Sequence, residues 1–201
     1  MNTTLAIILC VILSYLLGSV STSILITRYI LHRDLRKEGS GNAGAANAAR
    51  TFGAGVGFAT LLGDFLKGII SMYIGSLLLG ELGVMVSAIA CLIGHCFPVF
   101  FSFRGGKAVS TGAAVALMLD WRIFVIGILI FILAAALSRT ASISSMCAAI
   151  SISITALIFC SNIYFLISAF FTTALVLSMH YANISRIFKG CEPKFHFGKK
   201  Q

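Results

Sequence analysis

A loop able to wrap a phosphate stands at residues 39–50, where Gly39, Ser40, Gly41, Asn42 and Gly44 are followed by Arg50. Glycines let successive backbone N–H groups converge on one anion, Ser40 and Asn42 add donors, and a guanidinium can hold two phosphate oxygens at once. A second candidate lies at residues 94–107. Pro98 disfavours helix at Phe97, and Gly105 with Gly106 predicts an exposed turn presenting Lys107 just before another helix, which makes a further anion site. Two smaller clusters follow. Ser142, Ser144 and Ser145 open an apolar stretch, where serines commonly cap a helix. His180 and Asn183 are three apart near the end of another, so both can face one cavity.

Other chemistries fail on context. The glycine loop formally satisfies G-x-G-x-x-G, and Asp64 falls where a ribose-binding acid would be sought. A dinucleotide fold needs a preceding strand, whereas the charged segment 33–38 precedes this loop and a long apolar stretch follows it. A Walker loop is excluded because no Gly-Lys-Ser/Thr follows Gly44. The six cysteines lie mostly inside apolar stretches without paired zinc-type spacing. They read as small buried hydrophobes, and Cys91, His95 and Cys96 lack the second ligand pair that a metal site requires.

What must position these groups is a membrane domain. Of 201 residues, 59% are hydrophobic and 10% charged, and the mean hydropathy of +1.01 is far above that of a soluble domain. Apolar stretches cover 5–26, 52–79, 82–103, 108–119, 123–137, 143–160 and 163–179. The expectation is one all-α integral-membrane domain over residues 1–201, a compact bundle of about seven transmembrane helices, some of them short. The net charge of +9 does not signal nucleic acid, because Lys and Arg punctuate the apolar stretches instead of covering a soluble face. They stand at Arg28, Arg33, Arg36, Lys37 and Arg50, at Arg104 and Lys107, at Arg139, and at Arg186, Lys189, Lys194, Lys199 and Lys200. With the N-terminus outside and the C-terminus cytoplasmic, only Lys67 and Arg122 of the fifteen basic residues fall away from the cytoplasmic side. The first stretch reads as a transmembrane helix, since nothing basic precedes it and no A-x-A-like site closes it.

The stretches 108–119 and 123–137 are short for spans and leave a re-entrant hairpin open, in which Asp120, Trp121 and Arg122 are buried in protein or line a wet cavity. Asp64 and Lys67, three apart in the second stretch, can face each other, either as a functional pair or as a neutralising one that orients the helix. Gly53 and Gly57 predict close helix packing.

Together these segments resemble one family, the bacterial integral-membrane glycerol-3-phosphate acyltransferases that use acyl phosphate. The resemblance is carried by Leu16-Leu17-Gly18-Ser19, Asp34-Leu35-Arg36, the Gly-Ser-Gly-Asn loop and Asp64-Phe65-Leu66-Lys67-Gly68. It continues through Gly-His-x-Phe-Pro-Val-Phe from Gly94 and Phe-x-Gly-Gly-Lys from Phe103 to His-x-x-Asn-Ile-x-Arg-Ile-x-x-Gly-x-Glu from His180, and so covers nearly the whole chain. It implies phosphate-binding and catalytic roles for Ser40, Asn42, Arg50, Lys107, Ser145, His180 and Asn183, with Gly39, Gly41, Gly44, Gly105 and Gly106 in the binding loops. Three positions depart from the family's pattern: Ala46 where threonine is usual, Ala108 where glycine is usual, and Ser110 where alanine is common. A left-handed conformation at Ala108 would cost about 1 kcal/mol.

The resemblance further implies acyl transfer from acyl phosphate to the 1-hydroxyl of glycerol 3-phosphate, giving lysophosphatidic acid and inorganic phosphate, the first acylation of phospholipid synthesis. It places this in the bacterial cytoplasmic (inner) membrane, among membrane lipid, with the active site facing the cytoplasm and without cofactor, metal or nucleic acid. Acyltransferases that use coenzyme A or carrier-protein thioesters usually resemble a different pattern, His-x4-Asp, and no histidine here has an Asp five residues on. An acyl phosphate is a mixed anhydride, so its transfer needs positioning and charge neutralisation more than a covalent intermediate. The family implies that a substrate phosphate takes the hydroxyl proton, with His180 as the rival base. The alternative from another class is a small membrane transporter of an anionic phosphorylated metabolite. Transporters often pair repeats with broken helices, whereas here no repeat is visible and the polar motifs gather on one side.

Overall fold

A computed structural model describes residues 2–194, so Lys199 and Lys200 lie outside the described residues. Every regular element described is helical. The order is α1 (Thr3–Ser19), α2 (Thr22–Leu25), α3 (Ala45–Phe52), α4 (Ala54–Cys96), α5 (Val109–Leu119), α6 (Trp121–Ser138), α7 (Ala141–Phe159), α8 (Ile163–Met179) and α9 (Tyr181–Phe188). A π turn over Ile26–Ile30 extends α2, and short 3-10 turns lie at Leu35–Lys37 and Val99–Phe101.

The first apolar stretch is not one helix. Val20 and Ser21 are extended, and the helices on either side bend by 42°. Such a break frees backbone groups that lipid cannot satisfy. Lys67 Nζ donates to the Val20 carbonyl at 2.6 Å, and Ser23 Oγ donates to that of Ala43 at 3.0 Å.

Helix α4 is a hairpin. In a straight helix Ser71 and Ser87 would stand about 24 Å apart, yet Ser71 Oγ donates to the Ser87 carbonyl at 3.5 Å. The reversal is at Leu79 and Gly80, where Gly80 has φ +58°. Gly75 and Gly83 face each other so closely that a Cβ on either would strike the other's backbone. The arms, 54–79 and 81–96, answer to the expected stretches 52–79 and 82–103, the second cut short before Pro98. Helix α1 lies against the second arm through Gly18, which abuts the Cys91 backbone, and Gly94, which abuts the Tyr15 carbonyl. Gly57 packs on Ala49 and the Ala45 carbonyl as its spacing predicts, whereas Gly53, at φ +98°, turns the chain from α3 into α4.

Helix α5 is short, eleven residues or about 16 Å long. It occupies the centre, where Val115 and Ala116 join a core with Met72, Leu92, Ile123, Ile152 and Val176. The α5–α6 junction is not buried in protein, and Trp121 is 65% exposed. Asp120 accepts from the Arg122 N–H and pairs with its guanidinium at 2.8 Å, so the junction satisfies its own polar groups. That guanidinium lies 4.2 Å from the centre of the Phe159 ring, and Asn162 bonds Glu81 beside the α4 reversal. The turns 79–81, 119–122 and 159–162 therefore share one end of the bundle.

The opposite end gathers the loops that carry the polar motifs. Arg36 donates to the Phe101 carbonyl at 3.0 Å, Lys107 bonds Asn183, and Ser142 bonds Glu192. Between the ends, Leu5, Ile12, Leu129, Leu133, Ile154 and Leu157 are exposed, as in a multi-pass bundle that faces lipid. Among the described residues, three segments, Ala54–Phe101, Trp121–Ser138 and Ala141–Phe159, are each long and apolar enough to cross a membrane, as are two bent helix pairs.

Candidate active site

The glycine loop is folded around one buried amide. Asn47 Oδ1 accepts from the Ser40 N–H at 2.9 Å, while its Nδ2 donates to the carbonyls of Glu38 at 3.0 Å and Asn42 at 3.1 Å. Gly39 and Gly41 are left-handed, at φ +58° and +72°, which an L side chain would resist. With its carbonyls drawn to Asn47, the loop presents Gly39, Ser40 and Gly44 to a cavity, together with Ala45 and Ala46 from the N-terminal turn of α3. Arg50 follows on α3, exposed at the cavity wall and without an ion-pair partner among the described residues. Gly41 and Asn42 support the loop from outside the lining.

The Lys107 loop is clamped, not exposed. Gly105 and Gly106 donate to the carbonyls of Cys96 and His95, each at 3.1 Å, and so satisfy the C-terminal carbonyls of α4 that lack helical partners. Gly106 is buried and Gly105 half-buried, both behind the cavity, while Lys107 enters it. Ala108 is fully buried and left-handed, with φ +58° and ψ 17°. Ala108→Gly is therefore expected to stabilise the fold by about 1 kcal/mol. A raised melting temperature in detergent would show this, and an unchanged or lowered one would mean that the backbone there carries no strain.

The facing wall is a chain of hydrogen bonds. Lys107 Nζ donates to Asn183 Oδ1, whose amide Nδ2 donates to Glu192 Oε1 at 2.7 Å. Ser142 Oγ donates to the same Oε1 at 2.7 Å, and Arg186 Nε donates to Oε2 at 2.8 Å. His180 Nδ1 lies 2.7 Å from the Val176 carbonyl. A carbonyl only accepts, so Nδ1 carries the proton and Nε2 is left with an accepting lone pair. The serines do not cap α7: Thr140 is its N-cap, Ser144 donates to the Thr140 carbonyl and Ser145 to that of Ala141. Ser145 nevertheless lines the cavity.

Burial, aided by the charges of Arg186 and Arg50 and opposed by that of Glu192, pushes the Lys107 ammonium down from 10.5 to about 8. Burial works against ionisation of Glu192, but hydrogen bonds from Ser142, Asn183 and Arg186, with the charge of Arg186, hold its carboxyl below the usual range.

The cavity measures about 900 Å³. Ser40, Arg50, Lys107, Ser145, His180 and Asn183 share its polar part with Arg186 and Glu192. Much of the remaining lining is apolar: Leu61 and Phe65 of α4, Val109 and Ala113 of α5, Phe124, Ile128 and Phe131 of α6, and Ala148 and Ile152 of α7. Cations and hydrogen-bond donors beside an apolar groove suit an amphiphile with an anionic head.

A model of the glycerol-3-phosphate acyltransferase family matches residues 8–190. The chain belongs to that family. The glycerol-3-phosphate acyltransferase of Carboxydothermus hydrogenoformans is 36% identical over 188 residues, which are 94% of this chain and 96% of that protein. That of Desulforudis audaxviator is 38% identical over 196 residues, or 97% and 98% of the two chains. The crystal structure of PlsY (YgiH), an integral membrane glycerol 3-phosphate acyltransferase, in its glycerol 3-phosphate form superposes with a TM-score of 0.89 at 31% identity. That match covers 94% of this chain and 96% of that one.

Within this glycerol-3-phosphate acyltransferase, sequence reasoning missed three residues that build the site, Asn47, Arg186 and Glu192. Asn47 gave no signal beyond its place between the loop and Arg50. Glu192 closes the motif that begins at His180, and as the lone acid among the basic residues of the tail it signals cationic partners.

Proposed function

We propose that the protein transfers a fatty acyl group from acyl phosphate to the 1-hydroxyl of glycerol 3-phosphate, forming 1-acylglycerol 3-phosphate and inorganic phosphate. The observation that carries this reading is one cavity in which Ser40, Arg50, Lys107, Ser145, His180 and Asn183 adjoin an apolar groove. Two phosphates need several cations and donors, and a fatty chain needs a dry channel open toward lipid. Gly39, Ser40 and the start of α3 hold one phosphate, Arg50 and Lys107 clamp phosphate oxygens, and His180 with Asn183 orients the glycerol hydroxyl. The hydroxyl oxygen bonds to the acyl carbon, the bond from that carbon to the phosphate oxygen breaks, and the hydroxyl proton passes to a phosphate oxygen. The mixed anhydride supplies the leaving group, so positioning and neutralisation of charge suffice and no metal or cofactor enters.

The whole chain serves as a single domain with seven crossings in the bacterial inner membrane, its N-terminus outside and its C-terminus in the cytoplasm. Support comes from Arg33, Arg36, Lys37, Arg50, Arg104, Arg139, Arg186 and Lys189, all on the loops and short helices at the cavity's end of the bundle.

Purified protein given palmitoyl phosphate and glycerol 3-phosphate should release inorganic phosphate; no release above the acceptor-free background would refute the reading. His180→Ala then tests the route of the proton. With the substrate phosphate as base, the expected result is a raised KM for glycerol 3-phosphate and a kcat lowered less than about tenfold at saturation, because an essential base is worth about 10²–10⁴-fold. A kcat loss in that larger range would instead make His180 the base.

A further inference from the structure

Asp64, Lys67 and His95 form a cluster that the proposed chemistry does not use, although two of them line its cavity. All three are deeply buried, with side chains 1%, 6% and 5% exposed. Lys67 Nζ lies 2.9 Å from Asp64 Oδ1 and donates to the Val20 carbonyl, and Thr22 Oγ1 donates to the same carboxylate oxygen at 3.2 Å. The cluster thus ties the α1–α2 break to the first arm of α4. His95, on the second arm, aims Nδ1 at Asp64 from 3.8 Å and has no hydrogen-bond partner there among the described residues. Its ring fills the space that a Cβ on Gly106 would need, and its carbonyl accepts the Gly106 N–H. The residue after Gly106 is Lys107.

We propose that His95, set in place by the Asp64–Lys67 pair, is the positioning residue for Lys107. It holds loop 105–107 against the end of α4 so that the ammonium meets the transferring phosphate. A neutralising pair alone would need no third member; here the imidazole stands between the buried carboxylate and the glycine that orients the lysine. This assignment rests on the role given to Lys107 above. A cationic clamp displaced by about 1 Å can cost as much as 10²-fold in rate.

A double-mutant cycle tests it, with phosphate release as the readout and melting in detergent as the check on folding. Against the wild type, His95→Ala should lower kcat by about 10–50-fold, and in a Lys107→Ala background by less than about twofold, since a residue acting through another loses its effect when that other is gone. Equal loss in both backgrounds would overturn the proposal and leave His95 a merely structural residue. A Lys107→Ala enzyme as active as wild type would overturn the role of Lys107 itself, which keeps the two failures apart. Should His95→Ala not fold, His95→Gln enters the same cycle, and the same two outcomes decide.

Discussion

Lys107→Met is expected to lower kcat/KM for the acyl donor by about 10²–10³-fold, the usual loss when one group stabilising transition-state charge is removed from a dry site. The methionine keeps much of the aliphatic stem, so the change isolates the ammonium. The buried position adds a pH signature. With the free-enzyme ammonium at about 8, kcat/KM should fall as the pH rises through that value, because the deprotonated amine no longer attracts phosphate. A bound phosphate favours the charged form, so the decline in kcat should come at higher pH. Lys107→Arg removes this particular alkaline limb, since a guanidinium stays protonated. Because the folded value lies below 10.5, the unfolded chain holds the extra proton between about 8 and 10.5, and this group makes stability rise with pH across that window. A flat kcat/KM between pH 7 and 9.5 in the wild type, or a Met variant within about fivefold of it, would contradict the placement of Lys107.

Glu192→Ala should cost about 30–150-fold in kcat/KM, the equivalent of about 2–3 kcal/mol for leaving hydrogen-bonded and charged partners unpaired. The carboxylate has three partners, Ser142 from α7, Asn183 from α9 and Arg186 from the next turn, and Asn183 passes the contact on to Lys107. Losing it frees Asn183 to rotate and leaves Arg186 and Lys107 without the nearby negative charge. Glu192→Gln retains an acceptor but loses the charge, so its activity should fall between those of Glu192→Ala and the wild type. Full activity in Glu192→Ala, at an unchanged melting temperature, would show that the substrates themselves order this wall.

The sequence could show that a membrane bundle carries phosphate chemistry because both signals are local. A stretch such as 163–179 is apolar throughout, and Gly39, Ser40, Gly44 and Arg50 lie close enough together that one loop and the helix after it must present them. The positions of the reversal in α4 and of the short α5 could also be read, since Gly80 and Asp120 interrupt hydropathy at a single point.

Other features depend on neighbours far along the chain. The small polar run Gly18 to Ser23 marks a weak point in the first stretch, but the break at Val20 is tolerable because Lys67 supplies a donor from another helix. Gly105 and Gly106 look like a free turn until the exposed carbonyls at the end of α4 claim their N–H groups. Glu192 becomes part of the site only when α7, α9 and the tail converge. The sequence by itself determined which side chains are suited to bind phosphate and that they sit in an integral-membrane bundle, because hydropathy and residue type are properties of short segments. Tertiary structure alone decided that Lys107, Asn183, Glu192 and Ser142 form one hydrogen-bonded wall, because contacts between distant segments depend on how the helices pack.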